Sequence, residues 1–276
     1  MTVAEQLAIK GGPKTIPKGT IKKWPPIDDT DRKFVLASLE GGQHACGPNC
    51  GAFEKEFGAW NGNKLAITTN SGTAALQLWS FGETRKPSEE RDYHAYALGW
   101  MYRNNDLTAA FGRAQLARLD RYLAQQRENA QALTAALRGV PGLILPSEPP
   151  GCVHNWYNYT VRFDMEALGH AADASEFRFK IMKALQAEGV ETSVWQAWIL
   201  PAMTVFQAKN GFGKGHPWSA PNARPVDYAL HQYPHARRHA DTHTGMTTPL
   251  RAPNGPDVAA LVAKAFRKVM ENVEQL

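Results

Sequence analysis

The spacing of apolar residues predicts long helices in the second half of the chain. Leu107, Ala110 and Ala114 recur at three- and four-residue intervals, which is the period of an amphipathic α-helix. The same period continues as far as Gly139, where a glycine is typical of a helix end. The pattern therefore predicts either two helices or one bent helix over residues 104–139.

The pattern in the first third of the chain predicts the N-terminal part of an α/β domain. An extended arm is predicted to lead into a helix that Asp28 or Asp29 caps and that ends at Gly41. The segment "CGPNCG" predicts a turn before a second helix, "AFEKEFGAW". The run "KLAITT", residues 64–69, contains β-branched residues and predicts a buried strand. "SGTAALQL" follows as a loop and helix start, and residues 80–103, which show no period, are interpreted as loop.

The C-terminal part predicts a compact α+β unit. The segments "LIL", "WYNYTVRF" and "VETSVW" are interpreted as strands. "SEFRFKIMKALQAEG" predicts an amphipathic helix with Ser175 as its N-cap and Gly189 as its C-cap. A last helix is predicted to begin at Pro256 or Asp257.

Composition narrows the classes of protein without choosing a function. Of 276 residues, 43% are hydrophobic and 21% charged, which is ordinary for a globular protein with a real core. Thirty-one basic and 26 acidic residues give a net charge of +5, but the basic residues are scattered, so no nucleic-acid partner is expected. Three cysteines indicate a reducing compartment, and we expect the cytoplasm. No run of about 18 apolar residues predicts a membrane span.

The turn Ser71-Gly72-Thr73 is the first candidate for chemistry. Glycine lets the backbone approach an anion closely, and the N–H groups of the helix start that follows then face the anion. The two hydroxyls and the helix dipole add to that attraction. An ordinary N-capped helix explains the same residues equally well.

Histidine and cysteine patterns suggest metal sites but lack complete ligand sets. Histidines recur every four residues from His231 to His243, a spacing that aligns side chains on one face of a helix. Pro234 is expected to exclude His231 from that row, and a solvated helix face is the favoured interpretation over zinc. Cys46 and Cys50 bracket a turn without a second pair and are interpreted as small buried residues. No metal site is predicted.

Several separated blocks together resemble one family. "LEGGQHACGPNCGAFEKEFGAWNGNKLAITTNSGTAAL" resembles the N-terminal signature of the DegT/DnrJ/EryC1/StrS aminotransferases. "YALGWMYRNNDLTAAFGRAQLARLD", "HNWYNYTVRF" and "QYPHARRHADTHTGMTTPL" are similar to later landmarks, and "LAIKGGPKT" resembles the aminocyclitol branch. The resemblance implies a fold-type I α/β transferase that uses pyridoxal phosphate to aminate a keto-sugar or keto-cyclitol, with glutamate or glutamine as donor.

The resemblance also implies roles and a domain division. Ser71, Gly72 and Thr73 would hold the cofactor phosphate, while Tyr102 and Arg103 would face the site of a partner subunit in a dimer. Residues 1–103 would form an N-terminal arm and the remnant of the large cofactor-binding domain. Residues 104–276 would form interdomain helices and an α+β small domain.

Compared with that family, an internal segment is missing. Leu78 is followed directly by Trp79-Ser80-Phe81, so several βα units, on the order of a hundred residues, are absent. These units would carry the Schiff-base lysine and the aspartate that pairs with the pyridine nitrogen. Lys86 is five residues after Phe81 and lacks the family's flanking glycines, and Met101 replaces a phosphate-binding asparagine.

Those departures leave no catalytic residue that can be assigned, so we expect impaired or absent catalysis. Two alternatives remain: a non-catalytic partner of a full-length homologue, or a remnant of a gene deletion. In each case we expect association rather than a stable monomer, because the strand at 64–69 lacks its neighbours.

Overall fold

The structure is a computed structural model, and it describes residues 6–45, 47–76 and 102–276. These residues divide into two compact units. The helical unit comprises Pro26–Arg121, and the sheet unit comprises Met1–Pro25 together with Tyr122–Leu276. The helical unit is therefore inserted, along the chain, into the sequence of the sheet unit.

The described helices and strands, in chain order, are α1 (Asp29–Glu40), α2 (Pro48–Asn61), α3 (Gly72–Leu76), α4 (Asp106–Leu116), α5 (Leu119–Leu137), β1 (Leu143–Ile144), β2 (Tyr159–Phe163), α6 (Ala174–Glu188), α7 (Thr204–Gln207), α8 (Pro234–Thr242), β3 (His243–Met246) and α9 (Pro256–Met270). Short 3₁₀ turns connect several of them. Of the two possibilities predicted for 104–139, two helices or one bent helix, the structure has two helices, α4 and α5.

In the helical unit, α4 packs against both α1 and α2. Asp28, one of the two predicted caps, is the N-cap of α1, since its side chain accepts from the N–H groups of Thr30 and Asp31, and the helix ends before Gly41 as predicted. Asp31 returns a bond to the Asp28 N–H, which completes a capping box. Asp31 is 2% exposed and pairs with Arg118 at 2.6 Å, so this ion pair fixes the start of α1 to the residues that follow α4.

In the sheet unit, three antiparallel strands lie in the order β1-β2-β3. Leu143 pairs with Phe163, and Thr160 pairs with Gly245. Alternate residues of β2 are fully or almost fully buried and face a core that α5, α6 and α9 complete. The predicted C-cap is confirmed, since Gly189 adopts φ 98°, a left-handed conformation that favours glycine.

One buried carboxylate holds the N-terminal arm in the sheet unit. Glu188, at the end of α6, is 0% exposed and accepts from Ala8 N at 2.7 Å and Thr15 Oγ1 at 2.6 Å. Lys268 on α9 donates to the same carboxylate at 2.9 Å. Burial alone would raise the pKa of Glu188, but these hydrogen bonds outweigh it and hold the pKa below its usual value.

The prediction of a buried strand at residues 64–69 was wrong. In the structure this segment has only a single bridge, between Thr69 and Arg103, and Leu65 and Ile67 are 86% and 63% exposed. The segment is held instead by Glu54, which accepts from Thr68 N at 2.8 Å. Among the described residues no parallel strand lies beside it, so its β-branched residues have no sheet in which to pack.

Three smaller predictions in the sheet unit also need correction. "VETSVW" was predicted as a strand but forms only one bridge, between Ser193 and Gly245. Helix α6 begins one residue before Ser175, and Asp173 occupies the N-cap position without a side-chain bond. Strand β3 includes His243, which the four-residue histidine spacing had assigned to a helix face.

The domain boundary predicted at residues 103 and 104 stays a prediction. In this structure Asp106–Leu116 packs against α1 and α2, so it belongs to the same compact unit, Pro26–Arg121. In the three described ranges, no helix is long and apolar enough to cross a membrane.

Candidate functional site

The turn that precedes α3 forms the centre of the candidate site. Ser71 caps the helix, since its Oγ accepts from Ala74 N at 3.1 Å and its carbonyl accepts from Ala75 N at 3.0 Å. Both Ser71 and Gly72 are exposed. A Cβ added to Gly72 would meet no atom of the described residues within 4 Å, so those residues leave the space at the helix start open. N–H groups in the first turn of a helix have no partner within that helix.

Tyr102 and Arg103 lie directly beside this turn. Asn70 N donates to the Tyr102 carbonyl at 3.0 Å, and Thr69 and Arg103 form an antiparallel bridge. The side chain of Arg103 is exposed and Tyr102 is half-buried. The structure therefore places the backbone at Tyr102 and Arg103 beside that of Thr69 and Asn70, the two residues that precede Ser71.

A buried aspartate holds the segment that carries Arg103. Asp106 is 1% exposed and accepts from Ser38 Oγ at 2.6 Å, Asn49 N at 2.7 Å and Asn49 Nδ2 at 2.6 Å. Its own N–H donates to the His44 carbonyl at 2.9 Å. Burial alone would raise the pKa of Asp106, but the bonds from Asn49 and Ser38 lower it below its usual value. The carboxylate therefore stays charged and joins α1, α2 and α4.

Among the described residues, the arrangement can hold a small oxyanion. The open helix start and the exposed Arg103 guanidinium are both suited to a phosphate group. The lysines of the helical unit within the described residues are Lys33, Lys55 and Lys64. No hydrogen bond or ion pair joins any of these three to the turn. The site accordingly fits the phosphate end of pyridoxal phosphate, whereas the described residues do not provide groups for its ring.

Four of the five predicted site residues can be located in full. Tyr102 and Arg103 lie beside the residues that lead into Ser71, and Gly72 and Thr73 begin α3. The candidates Lys86, Met101 and Cys46 lie outside the described residues.

Sequence reasoning missed Asp106 and Asn49, which position the site. The signal that could have found them is the Asn105-Asp106 pair at the helix start, where Asn105 Oδ1 accepts from Thr108 N at 2.8 Å.

The histidine and cysteine candidates belong to other parts of the fold. His231 lies in a 3₁₀ turn before α8, so its predicted exclusion from the histidine row is confirmed. His239 and His243 stack with ring centroids 4.3 Å apart. Cys50 is buried in α2, and its thiol lies 3.8 Å from the Asn104 carbonyl, as expected for a small buried residue. In the part of the chain that the structure describes, no three His, Cys, Asp or Glu side chains converge as a metal site.

Comparison with solved structures identifies the fold. The chain superimposes on 3-amino-5-hydroxybenzoic acid synthase with a TM-score of 0.70 at 15% identity, over 91% of this chain and 99% of that one. At this identity the likeness concerns the fold alone. The predicted α/β, fold-type I transferase class is confirmed.

Comparison with characterised proteins finds partial relatives in Saccharopolyspora spinosa. A dTDP-4-dehydro-2,3,6-trideoxy-D-glucose 4-aminotransferase is 29% identical over 118 residues, 42% of this chain and 28% of that protein. A dTDP-4-dehydro-2,6-dideoxy-D-glucose 3-dehydratase is 26% identical over 109 residues, 40% of this chain and 22% of that protein. The matched part thus spans about a quarter of the length of these relatives.

The family comparison covers most of the chain. The model of the DegT/DnrJ/EryC1/StrS aminotransferase family matches residues 25–81 and residues 77–238. The first segment contains the Ser71 turn, and the second contains Arg103 and most of the sheet unit. These two matches show that the chain belongs to the DegT/DnrJ/EryC1/StrS aminotransferase family.

Proposed function

We propose that this chain derives from an aminotransferase that uses pyridoxal phosphate to aminate a keto-sugar or keto-cyclitol, with glutamate or glutamine as donor. One observation carries the proposal: the two family matches meet at residues 77–81, between the Ser71 turn and Arg103. That junction supports the loss of an internal segment from the large domain. Both named relatives act on dTDP-linked deoxysugars, one as an aminotransferase and one as a dehydratase. Their names therefore support a sugar as substrate but do not decide between the two reactions.

In this proposal the turn residues retain the phosphate-binding part of the ancestral site. The backbone N–H groups of Gly72 and Thr73 would bind the phosphate, and the Ser71 hydroxyl and the Arg103 guanidinium would flank it. Tyr102 would face the site of a partner subunit. When bound, pyridoxal phosphate supplies an electron sink for reactions at the substrate carbon, and the chain's own contribution is to hold and orient the phosphate.

Catalysis by this chain alone would be impaired or absent. Transamination requires a lysine amine at the cofactor both as a covalent anchor and as a base. The described lysines of the helical unit make no hydrogen bond or ion pair with the turn, and the spacing around Lys86 does not match the family pattern. The retained function would then be to bind phosphate and to associate with another subunit in the cytoplasm.

The alternative proposal is a non-catalytic partner of a full-length homologue. The exposure of Arg103 beside the turn favours it, because an exposed guanidinium is available to a second subunit. A remnant of a gene deletion without a selected function is the third possibility. If the chain is such a remnant, substitution of Arg103 should not change the activity of a co-expressed full-length homologue.

Borohydride reduction in the presence of pyridoxal phosphate tests the loss of covalent chemistry. We expect no single lysine to be labelled stoichiometrically, as read by mass spectrometry of peptides, since the family's lysine-bearing segment is missing. Stoichiometric labelling of Lys86 would contradict the proposal and would restore a compact active site.

The substitution Gly72→Ala tests the phosphate site separately. Alanine should not clash with the described residues, since none of their atoms lies within 4 Å of the added Cβ. It would, however, occupy the space through which a phosphate approaches the N–H groups. We expect weaker binding of pyridoxal phosphate and unchanged binding of pyridoxal, which lacks the phosphate.

Gly51→Ala is the matched control for that substitution. Gly51 lies in α2, is exposed, and also has no atom within 4 Å of an added Cβ. Equal affinity for pyridoxal phosphate in the Gly72→Ala and Gly51→Ala chains would remove the turn from the proposal.

A further inference from the structure

A cavity that is distinct from the turn at Ser71 is lined only by residues of the sheet unit. It is a groove of about 540 Å³ along α8, and it also borders β1, β2 and the start of α6. This volume is within the range that small-molecule sites occupy. Ile144, Met165 and Leu230 supply apolar surface, and charged side chains from β2 and α8 supply the polar surface.

Most of the acidic side chains around the groove already have partners. Asp241 pairs with Arg237 at 2.6 Å, so these two charges compensate each other. Asp164 Oδ1 accepts from Ala167 N at 3.2 Å within its own turn. Glu166 is exposed at the rim, where water screens its charge.

Two arginines at the groove, in contrast, lack a carboxylate partner. Arg162 and Arg238 both line the cavity, and among residues 6–45, 47–76 and 102–276 no carboxylate lies within 4.0 Å of either guanidinium. Alternation along β2 directs Arg162 away from the core-facing Val161 and Phe163, toward the side on which α8 packs. Arg162 is half-buried there. A half-buried guanidinium with five donors and no anionic partner is poorly compensated for its lost hydration.

We propose that this groove binds the oxyanion group of a small molecule, a carboxylate or a phosphate, with Arg162 as the main anchor and Arg238 as a second contact. The planar guanidinium of Arg162 can bind either group with two parallel hydrogen bonds. The apolar surface of Met165 and Ile144 would lie against the uncharged body of the ligand. This site belongs to the sheet unit and is separate from the turn at Ser71, which belongs to the helical unit.

A neighbouring histidine reports on the charge of Arg162. Burial lowers the pKa of His239, and the charges of His243 and Arg162 lower it further. An oxyanion bound to Arg162 would cancel part of that repulsion. The pKa of His239 should therefore rise when the groove is occupied, which gives a local signal in addition to affinity.

The test is calorimetric titration of the full chain with sulfate and, in a separate arm, with acetate. We expect saturable binding of at least one anion, and Arg162→Gln should weaken it by about tenfold, the loss of a charge-assisted bond. Arg238→Gln, on the exposed side of α8, should weaken it less. Arg224→Gln is the matched control, because Arg224 is exposed and does not line the groove.

Each outcome of the test decides for or against the groove. Sulfate binding would assign a phosphate-type ligand, and acetate binding would assign a carboxylate. Repeating the titration in the Gly72→Ala chain separates the two sites, because binding at the turn should weaken there while groove binding stays unchanged. The proposal is refuted if neither anion binds, if Arg224→Gln weakens binding as much as Arg162→Gln, or if the anion that binds leaves the NMR titration of His239 unchanged.

Discussion

Replacement of Asp106 should loosen the helical unit while leaving the sheet unit unchanged. In the Asp106→Ala chain, the buried Ser38 hydroxyl and the Asn49 N–H would lose their acceptor, at about 1–3 kcal/mol for each unsatisfied group. With the third bond, from Asn49 Nδ2, we expect a total loss of about 3–5 kcal/mol. Asp106→Asn keeps the shape and one acceptor oxygen, so its cost should be nearer to about 1–2 kcal/mol.

Amide hydrogen exchange followed by mass spectrometry measures this loss locally. Peptides from α1, α2 and α4 should exchange about 100-fold faster or more in Asp106→Ala, since each 1.4 kcal/mol of opening free energy is about a factor of ten. Peptides from α9 serve as the internal reference. Asp29→Asn, at a fully exposed side chain in the first turn of α1, is the control and should change exchange little.

The effect of Asp106 should also depend on pH. The pKa of Asp106 is lower in the folded chain than in the unfolded chain, so its stabilisation is complete above about pH 4 and is lost as the pH falls through the folded value. The difference between the native chain and Asp106→Asn should therefore shrink on acidification. Unchanged protection of α4 in Asp106→Ala, or equal acceleration in α9, would refute the reasoning.

Three further predictions follow from the fold. Glu188→Ala should lower the free energy of unfolding by about 3–5 kcal/mol, because it leaves the Lys268 ammonium, whose side chain is 11% exposed, without its carboxylate. Trypsin should then cut faster at Lys10, whereas Glu191→Ala, at an exposed residue, should change neither stability nor cleavage. Burial and the charge of Arg178 lower the pKa of His243 in the folded chain. On acidification the unfolded chain therefore takes up the proton at a higher pH than the folded chain does. The urea concentration at the unfolding midpoint should decrease as the pH is lowered below about 6.5, and the decrease should be smaller in the His243→Gln chain. Light scattering should give a mass above 30.5 kDa, owing to the exposed apolar segment at 64–69, and a monodisperse monomer would contradict this.

Local sequence signals predicted the helices well. The aspartate before α1, the glycine after α6 and the apolar period of α4 and α5 each act within a few residues, so their effect does not depend on distant parts of the chain.

The failures occurred where structure depends on distant partners. Residues 64–69 have strand-forming composition, yet a parallel strand needs neighbouring strands, and none lies beside it among the described residues. Residues 243–246 form a strand because β2 pairs with them, although their own sequence includes a glycine and fits a histidine row. At the candidate site, the turn at Ser71 was predictable from its residue types, whereas the support from Asp106 depends on Asn49, 57 residues away.

The buried Glu188 carboxylate, which holds the N-terminal arm, has a consequence for the order in which the chain folds during synthesis. Its ligands lie at residues 8 and 15, near the start of the chain, and at residue 268, near its end. Lys268 also donates to the Pro13 carbonyl at 2.8 Å. During synthesis the arm can be held in this way only after residue 268 has left the ribosome, whereas α1, α2 and α4 of the helical unit emerge earlier. The order of emergence therefore allows the helical unit to fold first, while the sheet unit needs α9 before Lys268 can pair with Glu188.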